Sequence, residues 1–219
     1  MYDLHTHTIL SDGALIASEL VRRYSVRGGK GVVITDHVDS SNIDIIIPQI
    51  VKFCHETRTA FKPIHVLPGC ELTHIPLGTF SNMIARARSL GAKVIIVHGE
   101  TIVEPVVKGA NKEGILSGAD IIAHPGLIKE EDVILAKEHN VSLEITSRHG
   151  HSYTNAYVAE LAKKHGVNLV FSTDFHEPRD FVTVEMQENI LRGAGLTIDE
   201  IKQVLLYTEK FFKSKLEVK

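Results

Sequence analysis

Residues 89–98, Ser89-Leu90-Gly91-Ala92-Lys93-Val94-Ile95-Ile96-Val97-His98, hold a helix end, a short strand and a metal-competent side chain in one run. Gly91 stands where a helix C-terminus needs a left-handed residue, and the β-branched run 94–97 follows at once. The same junction recurs at Glu138-His139-Asn140-Val141 and Lys164-His165-Gly166-Val167. Repeated helix-to-strand turns of this kind predict βα units around a parallel sheet. Seven strands are expected, at 2–5, 31–35, 66–70, 94–97, 120–123, 141–145 and 168–173. Between them lie amphipathic stretches, with Ile16, Leu20, Val21 and Tyr24 on one helical face and Val158, Leu161 and Ala162 on another. Stretch 197–213 opens on Thr197-Ile198-Asp199-Glu200, a capping sequence, and reads as a C-terminal helix. No linker divides the chain, so 1–219 is expected to form one α/β domain.

Composition narrows the function classes. Of 219 residues, 43% are hydrophobic and 23% charged, which excludes disordered and collagen-like chains. The net charge of -3 supplies no basic field for a long nucleic acid, so none is expected as a partner. The longest apolar runs fall far short of the roughly 20 residues of a membrane helix, and no signal-peptide core opens the chain. A cytoplasmic protein without a membrane partner is expected. Cys54 and Cys70 lack CxxC spacing and read as buried free thiols. The anomaly is thirteen histidines beside three methionines and no tryptophan.

Six of those histidines fall at strand ends. The successive ends read His5-Thr6-His7, Thr35-Asp36-His37, Cys70-Glu71, Val97-His98, Ala123-His124-Pro125-Gly126, Thr146-Ser147-Arg148 and Thr173-Asp174-Phe175-His176. In a parallel barrel all C-terminal strand ends open on one face, so side chains far apart in sequence converge there. His-x-His on an extended strand places both imidazoles on one side, within reach of one ion. Imidazole and carboxylate without thiolate favour zinc, manganese or iron(II), and the number of donors exceeds one tetrahedral ion. Two to three divalent metal ions are therefore expected, with a carboxylate bridging at least one pair.

The motifs Asp3-Leu4-His5-Thr6-His7-Thr8-x-x-Ser11-Asp12-Gly13, Ile34-Thr35-Asp36-His37, Glu71 with His98 and His124-Pro125, and Thr173-Asp174-Phe175-His176 resemble those of the PHP (polymerase and histidinol phosphatase) family over nearly the whole chain. The resemblance implies a distorted (β/α)7 barrel. It implies metal ligands at His5, His7, Asp12, His37, Glu71, His98, His124, Asp174 and His176, with Asp12 where some members carry histidine. By analogy, His5, His7, Glu71 and Asp174 hold one ion, Glu71, His98 and His124 a second, and Asp12, His37 and His176 a third. His5, His7, Glu71 and Asp174 are then the catalytic set, activating a hydroxide for in-line attack on phosphorus.

The resemblance implies a phosphoesterase, histidinol-phosphatase-like, acting on a small phosphorylated substrate. Three divalent ions outweigh the three carboxylates, leaving a locally positive pocket, and water shared by two metals has a pKa of about 7. Arg148 and Arg179 resemble arginines that clamp phosphate, for which a guanidinium fork is suited; His149 and His151 are expected at the same mouth. His74 and Glu100 are further pocket candidates, whereas His55, His65, His139 and His165 read as structural. Alternatives are a phosphodiesterase or nuclease on nucleotides or short oligonucleotides, an amidohydrolase-like C–N hydrolase, and a non-catalytic metal-binding regulatory barrel. The amidohydrolase reading is disfavoured because that family bridges its metals with a modified strand-four lysine, whereas here the bridge reads as Glu71 and Lys93 lies at the start of its strand, away from the mouth. A homo-oligomer is compatible with all of these.

Overall fold

Alternation of short apolar strands with amphipathic helices produces strands β1 (Tyr2–Asp3), β2 (Gly31–Ile34), β3 (His37–Val38), β4 (His65–Leu72), β5 (Val94–His98), β6 (Ile121–Ala123), β7 (Ser142–Thr146) and β8 (Leu169–Ser172). The intervening helices are α1 (Ala17–Val26), α2 (Ile43–Glu56), α3 (Phe80–Ser89), α4 (Ala110–Leu116), α5 (Glu130–Glu138) and α6 (Asn155–His165), followed by α7 (Val184–Gly193) and α8 (Ile198–Glu217). This computed structural model describes residues 1–217, so 218 and 219 of the expected domain span lie outside the described residues. The sheet runs β1-β2-β4-β5-β6-β7-β8 with every pair parallel, a nearly closed, TIM-barrel-like α/β architecture. The seven expected strands are present, with ends moved by one or two residues. Gly91, Asn140 and Gly166 all have positive φ at the helix-to-strand junctions.

One strand was not expected. β3 pairs with β4 at His37↔Glu71, which continues the register of β2, where Ile34 pairs with Pro68. β2 and β3 are thus one line interrupted at Thr35 and Asp36. The interruption arises because the Thr35 amide donates to the Thr6 carbonyl at 2.8 Å, toward the first strand. The Asp36 carbonyl still accepts from the Glu71 amide at 3.2 Å, while its carboxylate accepts from the Thr8 amide at 2.7 Å and from the Ser11 hydroxyl at 2.8 Å. The loop carrying His7 and Asp12 is fixed in this way.

The period-two alternation of strands builds the barrel in layers. Leu67, Ile96, Ala123 and Val170 point inward and pack together as the lower core. One or two inward positions further along the same strands stand Glu71, His98 and Asp174. Phe212 of α8 is fully buried among the inward residues and fills the lower end. Outward positions such as Ile95, Val97, Leu143 and Ile145 pack under the helices, against Ile43, Ile46, Ile47 and Ile50 of α2 among others. The predicted cap of α8 is made reciprocally: Thr197 N–H donates to Glu200 at 2.8 Å, and Glu200 N–H to the Thr197 hydroxyl at 3.3 Å. The helix runs past the expected end at 213 because Ser214-Lys215-Leu216 contains no breaker.

The seam between β1 and β8 lacks a strand ladder. At its lower part the Asp3 carboxylate accepts from the Thr173 amide at 3.1 Å and its hydroxyl at 2.7 Å. At the mouth, a single parallel bridge joins Thr6 to Phe175, with His7 N–H donating to the Phe175 carbonyl at 2.7 Å.

Candidate metal centre

The first ligand loop, β3, the ends of β4 and β5, and the turns after β6 and β8 bring His5, His7, Asp12, His37, Glu71, His98, His124, Asp174 and His176 to one rim. His5, His7 and Glu71 are fully buried and Asp174 nearly so. Burying this many polar groups is unfavourable unless something satisfies them. Yet His5 Nε2, both ring nitrogens of His7, both Glu71 oxygens, His124 Nδ1 and Asp174 Oδ1 lack a hydrogen-bond partner. Their approaches are close: His5 Nε2 to Glu71 at 3.3 Å, His7 Nε2 to Asp174 at 3.2 Å, His124 Nε2 to Asp174 at 3.6 Å. Lone pairs that crowd together without hydrogen-bond alignment are arranged for a common cation, so the residues fit divalent metal.

Among the sets whose ligand atoms lie mutually within 4.8 Å are His5, His7 and Glu71; Glu71, His98 and His124; and His7, Asp12, His37 and His176. The second matches the expected grouping. Asp174 joins the first through contacts of 3.6 Å to His5 and 3.2 Å to His7, and the third gains His7. Backbone strain accompanies the assembly, since His124 (φ 27°) and Asp174 (φ 52°) both have left-handed backbone.

Electrostatics follow from this crowding. Burial, then His37 and the other neighbouring imidazoles, push His7 down to about 3, so it is neutral. Burial likewise holds His124 well below the usual histidine range. Burial would raise Glu71, but the imidazoles of His5 and His37 outweigh it and hold the carboxyl well below its usual range. Burial would lower His37, but Glu71 and then Asp12 raise it to about 10. In the metal-free protein a proton on His37 thus partly balances the carboxylates. A cation taking its place must release it, so binding weakens as pH falls below about 10.

Sequence reasoning missed three groups in contact with these residues. Glu144, fully buried in β7, places Oε1 2.9 Å from His5 Nδ1 and accepts from the His124 amide at 3.0 Å. Its signal was a carboxylate inside an apolar strand. Thr73 Oγ1 lies 2.6 Å from His37 Nδ1. Glu104, on the loop after β5, has Oε2 3.2 Å from His98 Nε2, and no spacing rule could have found it.

Above the rim opens a cavity of about 400 Å³ lined by Asp12, Asp39, His74, Glu104, Arg148 and His151 together with ligand residues. Arg148 is held by Asp180 at 2.9 Å, and Asp180 also accepts from the His176 amide at 2.8 Å. The structure does not bring Arg179 and His149 to this cavity. Arg179 is 80% exposed and pairs with Glu177, the neighbouring acid in the Pro178–Asp180 turn, and His149 faces Tyr153 on the surface. Glu100 is also elsewhere, accepting from the Gly109 and Asn111 amides at the start of α4. His165 pairs with Glu130 at 2.7 Å. Cys54 and Cys70 are buried free thiols, pushed up by burial. No helix among the described residues is long and apolar enough to cross a membrane.

Fold and site together define a TIM-barrel-like protein with an imidazole and carboxylate centre at the C-terminal strand ends. The chain belongs to the PHP domain family, whose model matches residues 3–216. It is 42% identical over 210 residues to an uncharacterized protein of Methanocaldococcus jannaschii, covering 95% of this chain and 96% of that one. It is 30% identical over 213 residues to a probable phosphatase of Clostridium botulinum, covering 90% of this chain and 87% of the relative. A chain in the cryo-EM structure of archaeal ribonuclease P with mature tRNA superposes with a TM-score of 0.73 at 16% identity, covering 98% of this chain and 91% of that one, a likeness of fold alone.

Proposed function

We propose that this protein is a metal-dependent phosphatase acting on a small phosphomonoester. The observation that carries the reading is the convergence of buried, unpartnered imidazole and carboxylate atoms beneath a cavity that Arg148 enters. His5, His7, Glu71 and Asp174 would hold one ion, Glu71, His98 and His124 a second, and Asp12, His37 and His176 a third. When bound, such ions supply a nucleophile from water near neutral pH and neutralise charge on phosphoryl oxygens. Arg148, steadied by Asp180, offers a forked donor to the phosphate. A cavity of about 400 Å³ suits a small ester, and the relatives described as probable phosphatases support the same chemistry.

The test compares p-nitrophenyl phosphate with bis-p-nitrophenyl phosphate after chelation and after adding back manganese or zinc. Monoester hydrolysis lost on chelation and restored by metal is expected; full activity in metal-free protein overturns the reading, and preferential diester cleavage moves it to a phosphodiesterase.

Glu144→Gln provides a second check. It keeps the shape but removes the charge facing His5, and loss of such an orienting partner costs about 10–100-fold in metal affinity. Zinc affinity measured by chelator competition should fall by that factor, with the circular dichroism spectrum unchanged.

A further inference from the structure

We propose that His74, His98 and Glu104 form a second station for the ion at His98, a mouth site used in alternation with the buried position at Glu71 and His124. The proposal rests on the reading of Glu71, His98 and His124 as metal ligands.

Three observations carry it. First, the ligand atoms of His74, His98 and Glu104 lie within 4.8 Å of one another, a set separate from the buried ones except for His98. Glu104 Oε2 is 3.2 Å from both His74 Nε2 and His98 Nε2. Two imidazoles and a carboxylate form a borderline donor set suited to zinc, with room for water as a further ligand at this partly open mouth. Second, the set is braced from outside. His151 places Nε2 3.3 Å from the other Glu104 oxygen while its Nδ1 is 3.0 Å from the Thr101 hydroxyl, so the carboxylate is held from behind. His74 has left-handed backbone (φ 51°), strain of the kind that persists where a side chain's direction matters.

Third, His98 cannot serve both positions at once. Its Nδ1 lies 3.1 Å from the Gly99 carbonyl, an acceptor that requires the proton on Nδ1 and leaves Nε2 as the ligand atom, and His98 is a member of both the outer and the buried set. The two positions are therefore alternatives. Exposure grades inward from His74 (41%) and Glu104 (35%) to His98 (4%) and Glu71 (0%). A cation arriving from solvent meets the outer pair first and passes to Glu71 and His124 without leaving His98.

Two measurements test this. Zinc uptake by metal-free protein, followed by stopped-flow competition with a chromophoric chelator, should slow at least tenfold in Glu104→Gln and in His74→Ala, with the final zinc content unchanged. Zinc-edge anomalous diffraction of His124→Ala, in which the buried position is broken, should place zinc between His74, His98 and Glu104, and Glu104→Gln in that background should remove it. Uptake at the wild-type rate in both single variants, or no zinc between these residues in His124→Ala, overturns the proposal while leaving the buried centre standing. Wild-type protein that takes up no zinc at all overturns both.

Discussion

His7→Ala is expected to lower kcat/KM for a phosphomonoester by at least about a thousandfold, or about 4 kcal/mol of transition-state stabilisation. The metal-free fold should survive. His7 is fully buried, yet neither ring nitrogen has a hydrogen-bond partner, so truncation breaks no hydrogen bond. What it removes is a ring stacked at 4.2 Å on both His37 and His176, and a donor atom common to two of the ligand sets. Burial already holds this imidazole neutral, the form a metal ligand must take. Thermal unfolding should separate the two roles: zinc raises Tm in the wild-type protein by binding the native state, and the increment should shrink in His7→Ala. A variant that hydrolyses substrate at a near-wild-type rate would remove the metal centre from the mechanism.

Phe212→Ala should produce the largest loss of stability, about 3–5 kcal/mol, from transfer and from the cavity left behind. The ring is fully buried at the lower end of the barrel, among Leu4, Val33, Leu67 and Val170. Gly31 shows how closely it fits, because a Cβ there would lie 2.6 Å from the Phe212 ring. Urea unfolding should show the loss with little change in m-value, and Tm should fall on the order of 10 °C. A loss below about 1 kcal/mol would show that the lower barrel closes without this side chain.

The parts of the fold legible in the sequence are those encoded by local pattern. Gly91, Asn140 and Gly166 mark helix ends through a conformation few residues tolerate, and the apolar runs after them are strands on composition alone. The ligand rim was legible because strand ends in a parallel barrel share a face, so position in the unit implies position in space. Three features were not legible, each for a physical reason. β3 has only two residues, too short for a period to register, and is recognisable only by its register against β4. Glu144 and Glu104 act on side chains distant in sequence, and no spacing connects them. Arg179 follows the fourth motif closely, but the Pro178–Asp180 turn sends its side chain to solvent and brings Asp180 to Arg148 instead.

The seam has one more consequence. Asp3 and Thr173, on its two sides, are 170 residues apart, and at the mouth the two edges share one bridge between Thr6 and Phe175. His5 and His7 lie on one side of that gap, Asp174 and His176 on the other. A ligand bound by both sides acts as a removable cross-link between the two ends of the chain. Because such a ligand is held by the native rim and released on unfolding, it stabilises the fold through its binding free energy, about 4 kcal/mol at a thousandfold excess over its Kd. The proposed metal centre is thus also placed to be the barrel's clasp, and the protein's resistance to unfolding should track its metal content.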